Sequence, residues 1–457
     1  MRSLAWLVLC ACASTTARPT WPPPRPAPPE RRDGPAHDPD LRRGALPDAA
    51  TRKTELSIIR RNLDAMYAHR LAKEQRYAID EDALFARAED RVLAATTWAA
   101  FDAAIYDTLA AFHDGHLTYH PPQTAAPARG YTSFRLGLTT VLAKDHLLVA
   151  TSELAGVAPG DEVIAIDGKP VADVLRATVA GRAWSRPESA KASFAKTWTS
   201  VLYPKGDPPR ARTLRVRDRT GAEHDVAITP HAAAGKHEVV GVRDDGGIAV
   251  VTIKSLEGGK ARAQAIDDTL AKAREQKAIV VDLRGDRGGV DVVGYRIVAD
   301  LASGKALLAH VRILAAPETI ARRPSWKKLV PGADGWATED LTVDALDKPY
   351  PGKLAVLVDA GCVSTCEVVA AALRADAHAL LVGETTGGSS GAPVAVTLPA
   401  SRASIAIPTW ELTAADGKPV EGDGVVPDVE VVATPDALAA GTDLPLQTAL
   451  DRLRASP

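Results

Sequence analysis

The sequence predicts an α/β protein: a largely parallel sheet covered by helices, preceded by a helical section and then a β-rich one. Two patterns carry this. From about Gly241 onward, apolar runs of strand length alternate with stretches at helix spacing, and that alternation marks parallel strands joined by crossover helices. Before it, helix spacing as far as residue 117 gives way to strand-and-turn spacing over 130–232. A chain of 457 residues is long enough for two or three domains.

Residues 1–12 read as an export signal, with Arg2 as a minimal positive region and 4–9 as an apolar core too short to span a bilayer. Leu9-Cys10-Ala11-Cys12 resembles a bacterial lipobox, which implies lipidation of Cys12 and a periplasmic or membrane-anchored lipoprotein. Plain secretion with cleavage after Ala11 or Ala13 is the other reading. Residues 13–50 are rich in proline, centred on Trp21-Pro22-Pro23-Pro24-Arg25-Pro26, and such a segment extends as a spacer rather than packing.

Residues 51–123 form the helical section. Leu56, Ile59, Leu63 and Met66 recur at helix spacing, as do Phe101, Ile105 and Leu109. The last run stops at Phe112-His113-Asp114-Gly115-His116, where glycine ends it. Residues 124–235 form the β-rich section, with strand-like 147–150 and 163–166 and a hairpin turn at Asp167-Gly168. Residues 236–435 carry the alternation: strands at 248–253, 278–282, 353–358 and 379–383, helices at 261–276 and 292–301, and a helix after Ser364. Residues 436–457 read as a C-terminal helix.

A net charge of -2 gives no electrostatic footprint for nucleic acid. Beyond the signal the only cysteines are Cys362 and Cys366, flanking Ser364. They either pair, at the upper end of disulfide Cα separations, or remain buried thiols. No metal-type spacing occurs, and acyl transfer at a serine requires no metal or organic cofactor.

In α/β folds functional groups gather past the C-terminal strand ends. Three loops lie there: Asp282-Leu283-Arg284-Gly285-Asp286-Arg287-Gly288-Gly289, the turn Gly361-Cys362-Val363-Ser364-Thr365-Cys366-Glu367, and 383–391. A serine opening a helix sits beside unpaired N–H groups, where a nucleophile and its oxyanion donors share one place. Ser364 with Glu367 is equally a capping box. Paired glycines let Gly288 or Gly289 turn an N–H toward an oxyanion, with the Thr365 N–H as the other donor.

The ordered set of motifs resembles the tail-specific, C-terminal-processing serine peptidases, over roughly residues 50–435. It comprises Asp114-Gly115-His116, the Gly156-Val157-Ala158-Pro159-Gly160-Asp161 stretch with Ile166-Asp167-Gly168, the glycine loop, the Ser364 turn, Gly383-Glu384-Thr385-Thr386-Gly387-Gly388, and Glu421-Gly422-Asp423-Gly424-Val425-Val426-Pro427-Asp428. The resemblance implies a crotonase/ClpP-like spiral core, and a PDZ-like subdomain at 124–235 that takes a polypeptide end. One branch of the family carries a lysine base where this chain has Ser389. The other, similar to the tricorn core protease and the interphotoreceptor retinoid-binding proteins, uses a histidine from the N-terminal part and a later glutamate. The resemblance therefore assigns Ser364 as nucleophile, His116 as general base and Glu421 as the acidic, orienting member, with His113 and His120 nearby but out of place. Asp286 stands where the family prefers asparagine, and its carboxylate is unfavourable beside an oxyanion unless it points away.

The expected function is an exported serine endopeptidase acting on polypeptides. The alternatives are an inactive peptide- or lipophile-binding protein on the same scaffold, and an acyl-CoA enzyme of crotonase type, which an export signal disfavours.

Overall fold

The computed structural model describes residues 43–122, 134–180, 183–202, 211–229, 231–232, 239–346 and 350–455. The expected export signal, Cys12 and most of the proline-rich segment lie outside them. Among the described residues no helix is long and apolar enough to cross a membrane.

The alternating section folds as its pattern predicts. Its sheet runs in the order Val240–Asp244, Ile248–Ile253, Ala278–Asp282, Lys353–Val358, Leu380–Gly383, Val429–Glu430, with the first pair antiparallel and the others parallel. The reason lies in the uninterrupted apolar strands. Both faces are buried, so both must be covered. On one face Val251, Val281 and Val356 pack under helices Gly259–Ala273, Asp291–Leu301 and Thr365–Asp376. On the other, Val250, Val280 and Leu357 pack against Ala449, Leu450 and Leu453 of the terminal helix Leu444–Ala455.

Two features of this region go beyond the alternation. A second, antiparallel sheet joins Trp336–Asp344, Lys305–Leu314 and Trp410–Ala414 and packs on helix Thr365–Asp376. A hairpin of Val394–Thr397 and Ser404–Ile407 leaves the section altogether. It packs on helices Ala49–Met66, Glu81–Ala94 and Trp98–Ala110, and strand Thr118–His120 extends it. The Glu55 carboxylate fixes the hairpin tip by accepting from the Ala400 and Ser401 N–H groups at 2.7 and 2.8 Å. This exchange holds the Asp114-Gly115-His116 turn, which comes after the last of those helices, against the body.

The 134–232 region contains the order Leu138–Ala143, His146–Ser152, Glu162–Ile166, Arg212–Arg217, Glu223–Ile228. Asp167 (φ 49°) and Gly168 (φ 74°) make the expected hairpin turn. Helices Val171–Ala180 and Pro187–Leu202 also occur here, where the sequence pattern predicts strands and turns. The second is rich in serine and threonine, whose weak helix propensity hides the element until packing supplies the stability.

Candidate active site

Strand Lys353–Val358 ends at Asp359, whose carboxylate organises the turn after it. Its Oδ1 accepts from the Gly361 N–H at 2.9 Å and from the Gly285 N–H, in the glycine loop, at 2.7 Å. A Cys362–Cys366 disulfide (Cα separation 5.5 Å) closes the turn around Ser364, so the two cysteines are paired rather than free. Ser364 itself adopts φ 61°, ψ −128°, a conformation sparsely populated for non-glycine residues and concentrated at functional sites. Its N–H is held by Ser389 O at 2.9 Å and by Glu367 Oε2 at 3.0 Å.

Glu367, expected as the partner in a capping box, does more than cap. Fully buried, it also accepts from Thr386 Oγ1 at 2.5 Å, Gly388 N at 2.7 Å and Ser389 N at 2.9 Å. One carboxyl therefore ties the nucleophile turn to the 386–389 loop. Burial pushes its pKa up to about 7, against four donors that favour the charged form.

His116 arrives from the other side of the molecule. Asp114 Oδ1 accepts from the His116 and Leu117 N–H groups at 2.9 and 3.3 Å, while its Oδ2 faces Tyr67 Oη at 2.9 Å and His69 Nδ1 at 2.8 Å. Gly115 leaves room for the Ser389 hydroxyl: a Cβ there would lie 2.6 Å from Ser389 Oγ and displace it. The His116 Nε2 stands 3.2 Å from Ser364 Oγ, and its Nδ1 2.8 Å from Ser389 Oγ. With Nδ1–H donating to Ser389, Nε2 presents its lone pair to the Ser364 hydroxyl. Burial pushes the imidazole below its ordinary pKa, although Asp114 and Glu421 pull the other way, so the neutral ring predominates near neutrality. His113 instead stacks on Tyr77 at 4.2 Å and His120 contacts Thr118, so neither reaches the serine.

Two of the expected site residues stand back from the reacting atoms. Glu421 does not touch His116: its carboxylate accepts from Lys73 Nζ at 2.5 Å and from the Ser390 N–H at 2.8 Å. It orients the 389–390 loop, and the hydroxyl of Ser389 takes the place beside Nδ1. The sequence carries a signal for this, since Ser389 occupies the position where one branch of the family places its base. A serine cannot be that base, but it can hold one. The second is Gly288, one of the two glycines left open as oxyanion donor. Its N–H is already engaged by Asp286 Oδ1 at 2.9 Å, a turn that asparagine would form equally well. Gly288 serves as a spacer, since a Cβ would lie 2.9 Å from Ser364 Cβ and 3.0 Å from Thr365 N. Among the described residues the N–H groups of Gly289 and Thr365 have no acceptor, and both residues line the cavity beside Ser364.

Asp286 thus points back into its own loop. It is fully buried, its Oδ2 has no partner, and burial pushes its pKa up to about 7. A folded-state pKa above the unfolded value of about 3.9 means the native state holds the extra proton. Stability from this group is therefore present at acid pH and lost as pH rises toward 7. Asp286→Asn keeps the Gly288 bond and removes that loss. Its melting temperature is expected to exceed the wild-type value at pH 8, by on the order of 2–4 kcal/mol in stability. The difference should shrink toward pH 4. An unchanged difference across that range in thermal melts would contradict the buried, proton-holding carboxyl.

Around His69 the donor atoms of His69, Asp114 and Glu421 lie within 4.8 Å of one another. His69 Nε2 faces Trp410 O at 2.8 Å as Nδ1 faces Asp114, so both nitrogens donate and the ring is an imidazolium. Burial alone would lower its pKa; the Asp114 and Glu421 carboxylates overcome this and raise it. Lys73 already neutralises Glu421. The cluster is a salt network with no nitrogen lone pair to offer a metal. Asp282 likewise serves structure, paired on both oxygens with Arg284 at 2.9 Å.

Residues 247–431 match the model of peptidase family S41. No curated protein matches the chain. Among solved structures the chain is similar to mature CPAF, with TM-score 0.66 and 14% identity over 89% of this chain and 96% of that one. A photosystem II D1 C-terminal processing protease gives TM-score 0.50 and 16% identity over 85% and 94%. A peptidase from Parabacteroides merdae gives 0.50 and 14% over 90% and 98%. At these identities the structural likeness is one of fold. Over 247–431 the family match bears out the resemblance read from the glycine loop, the Ser364 turn, the 383–388 loop and the 421–428 motif.

Proposed function

We propose that the chain, whose residues 247–431 match the model of peptidase family S41, hydrolyses polypeptides by acyl transfer to Ser364, with His116 as general base. One observation carries this: the 3.2 Å approach of His116 Nε2 to Ser364 Oγ across 248 residues of sequence. A histidine in that geometry takes the hydroxyl proton as Oγ attacks the scissile carbonyl, then delivers it to the leaving amine. The Gly289 and Thr365 N–H groups are the two donors for the oxyanion. Ser389 Oγ fixes the ring, and Glu421, held by Lys73, fixes the 389–390 loop. Water then repeats the attack on the acyl-enzyme with His116 again as base.

The finer architecture belongs to the same proposal: a spiral, crotonase/ClpP-like core within 236–435, a helical section at 51–123, and a PDZ-like subdomain at 124–235 that receives an unstructured chain end. So does the address, an exported protein anchored through lipid on Cys12.

A fluorophosphonate probe tests the chemistry. It is expected to label Ser364 stoichiometrically in the wild-type protein and to abolish hydrolysis of unfolded casein in proportion. A structure of mature CPAF is complexed with lactacystin, which makes that compound a second probe. No labelling and no turnover would favour the carrier reading.

A further inference from the structure

In the 134–232 region, Ser185-Arg186-Pro187 reaches both partners of the hydrogen bond that orients His116. Pro187 opens helix Pro187–Leu202. A proline at the first helical position fixes its own φ and confines the residue before it to extended backbone, so Ser185 and Arg186 are presented from a stiff corner. Ser185, 2% exposed, accepts from the Gly115 N–H through its Oγ at 3.0 Å. That N–H lies one residue before His116, whose own N–H is taken by Asp114. The turn carrying the base is thus gripped on two successive amides. Arg186 Nη1 donates to Thr385 O at 3.3 Å and to Thr386 O. Its side chain lies so close to Gly388 that a Cβ there would sit 2.8 Å from Arg186 Cδ. Glu367 and Glu421 accept from N–H groups of the same loop, and Arg186 holds two of its carbonyls. The loop leads to Ser389, whose Oγ is 2.8 Å from His116 Nδ1. Further along the helix, Lys196 Nζ reaches Asp359 Oδ2 at 2.9 Å, a third tie, to the start of the nucleophile turn.

We propose that Ser185 and Arg186 are positioning residues for the base. One fixes the backbone that carries His116, the other the loop that carries Ser389, and together they set the His116–Ser389 bond. The catalytic consequence rests on His116 acting as base at Ser364; the contacts themselves do not. Reaction rates respond steeply to such placement, since a displacement of about 1 Å can cost about a hundredfold. Without Ser185 Oγ the part-buried Gly115 N–H loses its acceptor, and the turn must shift to regain one.

Ser185→Ala and Arg186→Met, which keeps the aliphatic stem, are each expected to lower kcat for casein hydrolysis about tenfold or more, with KM within about twofold of wild type. Arg186→Lys, which keeps a donor, should recover part of the loss. Placed in His116→Ala protein, Ser185→Ala and Arg186→Met should change the residual rate less than about twofold, because residues acting through one group lose little more once it is gone. A merely structural role would lower both backgrounds alike, in step with the folded fraction in a thermal melt. Imidazole nitrogen NMR signals, assigned by their loss in His116→Ala, read the placement without turnover. Wild type should show Nδ1 protonated and Nε2 bare, and both variants should move the pair toward the average of mixed tautomers. Wild-type kcat in both variants, equal losses in the two backgrounds, or unmoved ring signals would each overturn the assignment. If the ring signals move yet Ser364 takes no fluorophosphonate even in the wild-type protein, the positioning stands and the peptidase chemistry falls.

Discussion

Ser364→Ala is expected to lower kcat for polypeptide hydrolysis by about a million-fold, the scale at which removing a serine nucleophile usually lands, while the fold survives. The side-chain oxygen has His116 Nε2 as its close partner, whereas the backbone of the turn is held independently. Its N–H bonds to Ser389 O and Glu367, the Cys362–Cys366 disulfide closes the loop, and Glu367 anchors the 386–389 segment. Alanine keeps a Cβ and tolerates the positive φ no worse than serine. Melting temperature should therefore move by the equivalent of less than about 1 kcal/mol, since no large cavity forms and the His116 ring that loses its partner lines a cavity that water can enter. Casein hydrolysis and a thermal melt on the same preparation check both halves. Turnover within tenfold of wild type would remove Ser364 from the mechanism.

His116→Ala is expected to cost about 10⁴-fold or more in kcat/KM, because the hydroxyl loses its proton acceptor and keeps only the help of oxyanion donors and binding. The double variant with Ser364→Ala should lose little beyond Ser364→Ala alone, since groups acting as a unit are not additive. The pH profile gives an independent readout. A base must be unprotonated to act, so activity falls as pH drops through its pKa. Burial pushes the His116 pKa down, and the acid limb of kcat/KM should lie below the ordinary histidine value of about 6.5. Residual hydrolysis in His116→Ala should lack that limb. A limb unchanged by the substitution would assign it to another group, with Asp286 and Glu367, both near 7, the first candidates.

Much of this was legible in the chain. The strands Ile248–Ile253, Ala278–Asp282 and Lys353–Val358 coincide with the apolar runs, because a strand buried on both faces leaves an uninterrupted record in composition. Ser364 and His116 stood out through their turns, where glycine and a strand-to-helix junction leave local marks. The helices at 171–180 and 187–202 did not, since short segments with weak propensity owe their form to tertiary packing. The sheet that joins Lys305–Leu314 to Trp410–Ala414 pairs strands about a hundred residues apart, and no local period records a partner at that distance.

The amino-acid order by itself determined which segments are buried and where the chain turns, and it singled out Ser364 and His116 as candidates. Only the tertiary structure decided who meets whom: Ser389 rather than Glu421 at the His116 ring, Gly289 rather than Gly288 with its N–H unengaged, Cys362 bonded to Cys366, and His69 held as a cation between a carboxylate and a carbonyl. The physical reason is that burial leaves its trace residue by residue as hydrophobicity. A hydrogen bond between residues 273 positions apart depends instead on the loops that bring them together and on spacing to a few tenths of an ångström.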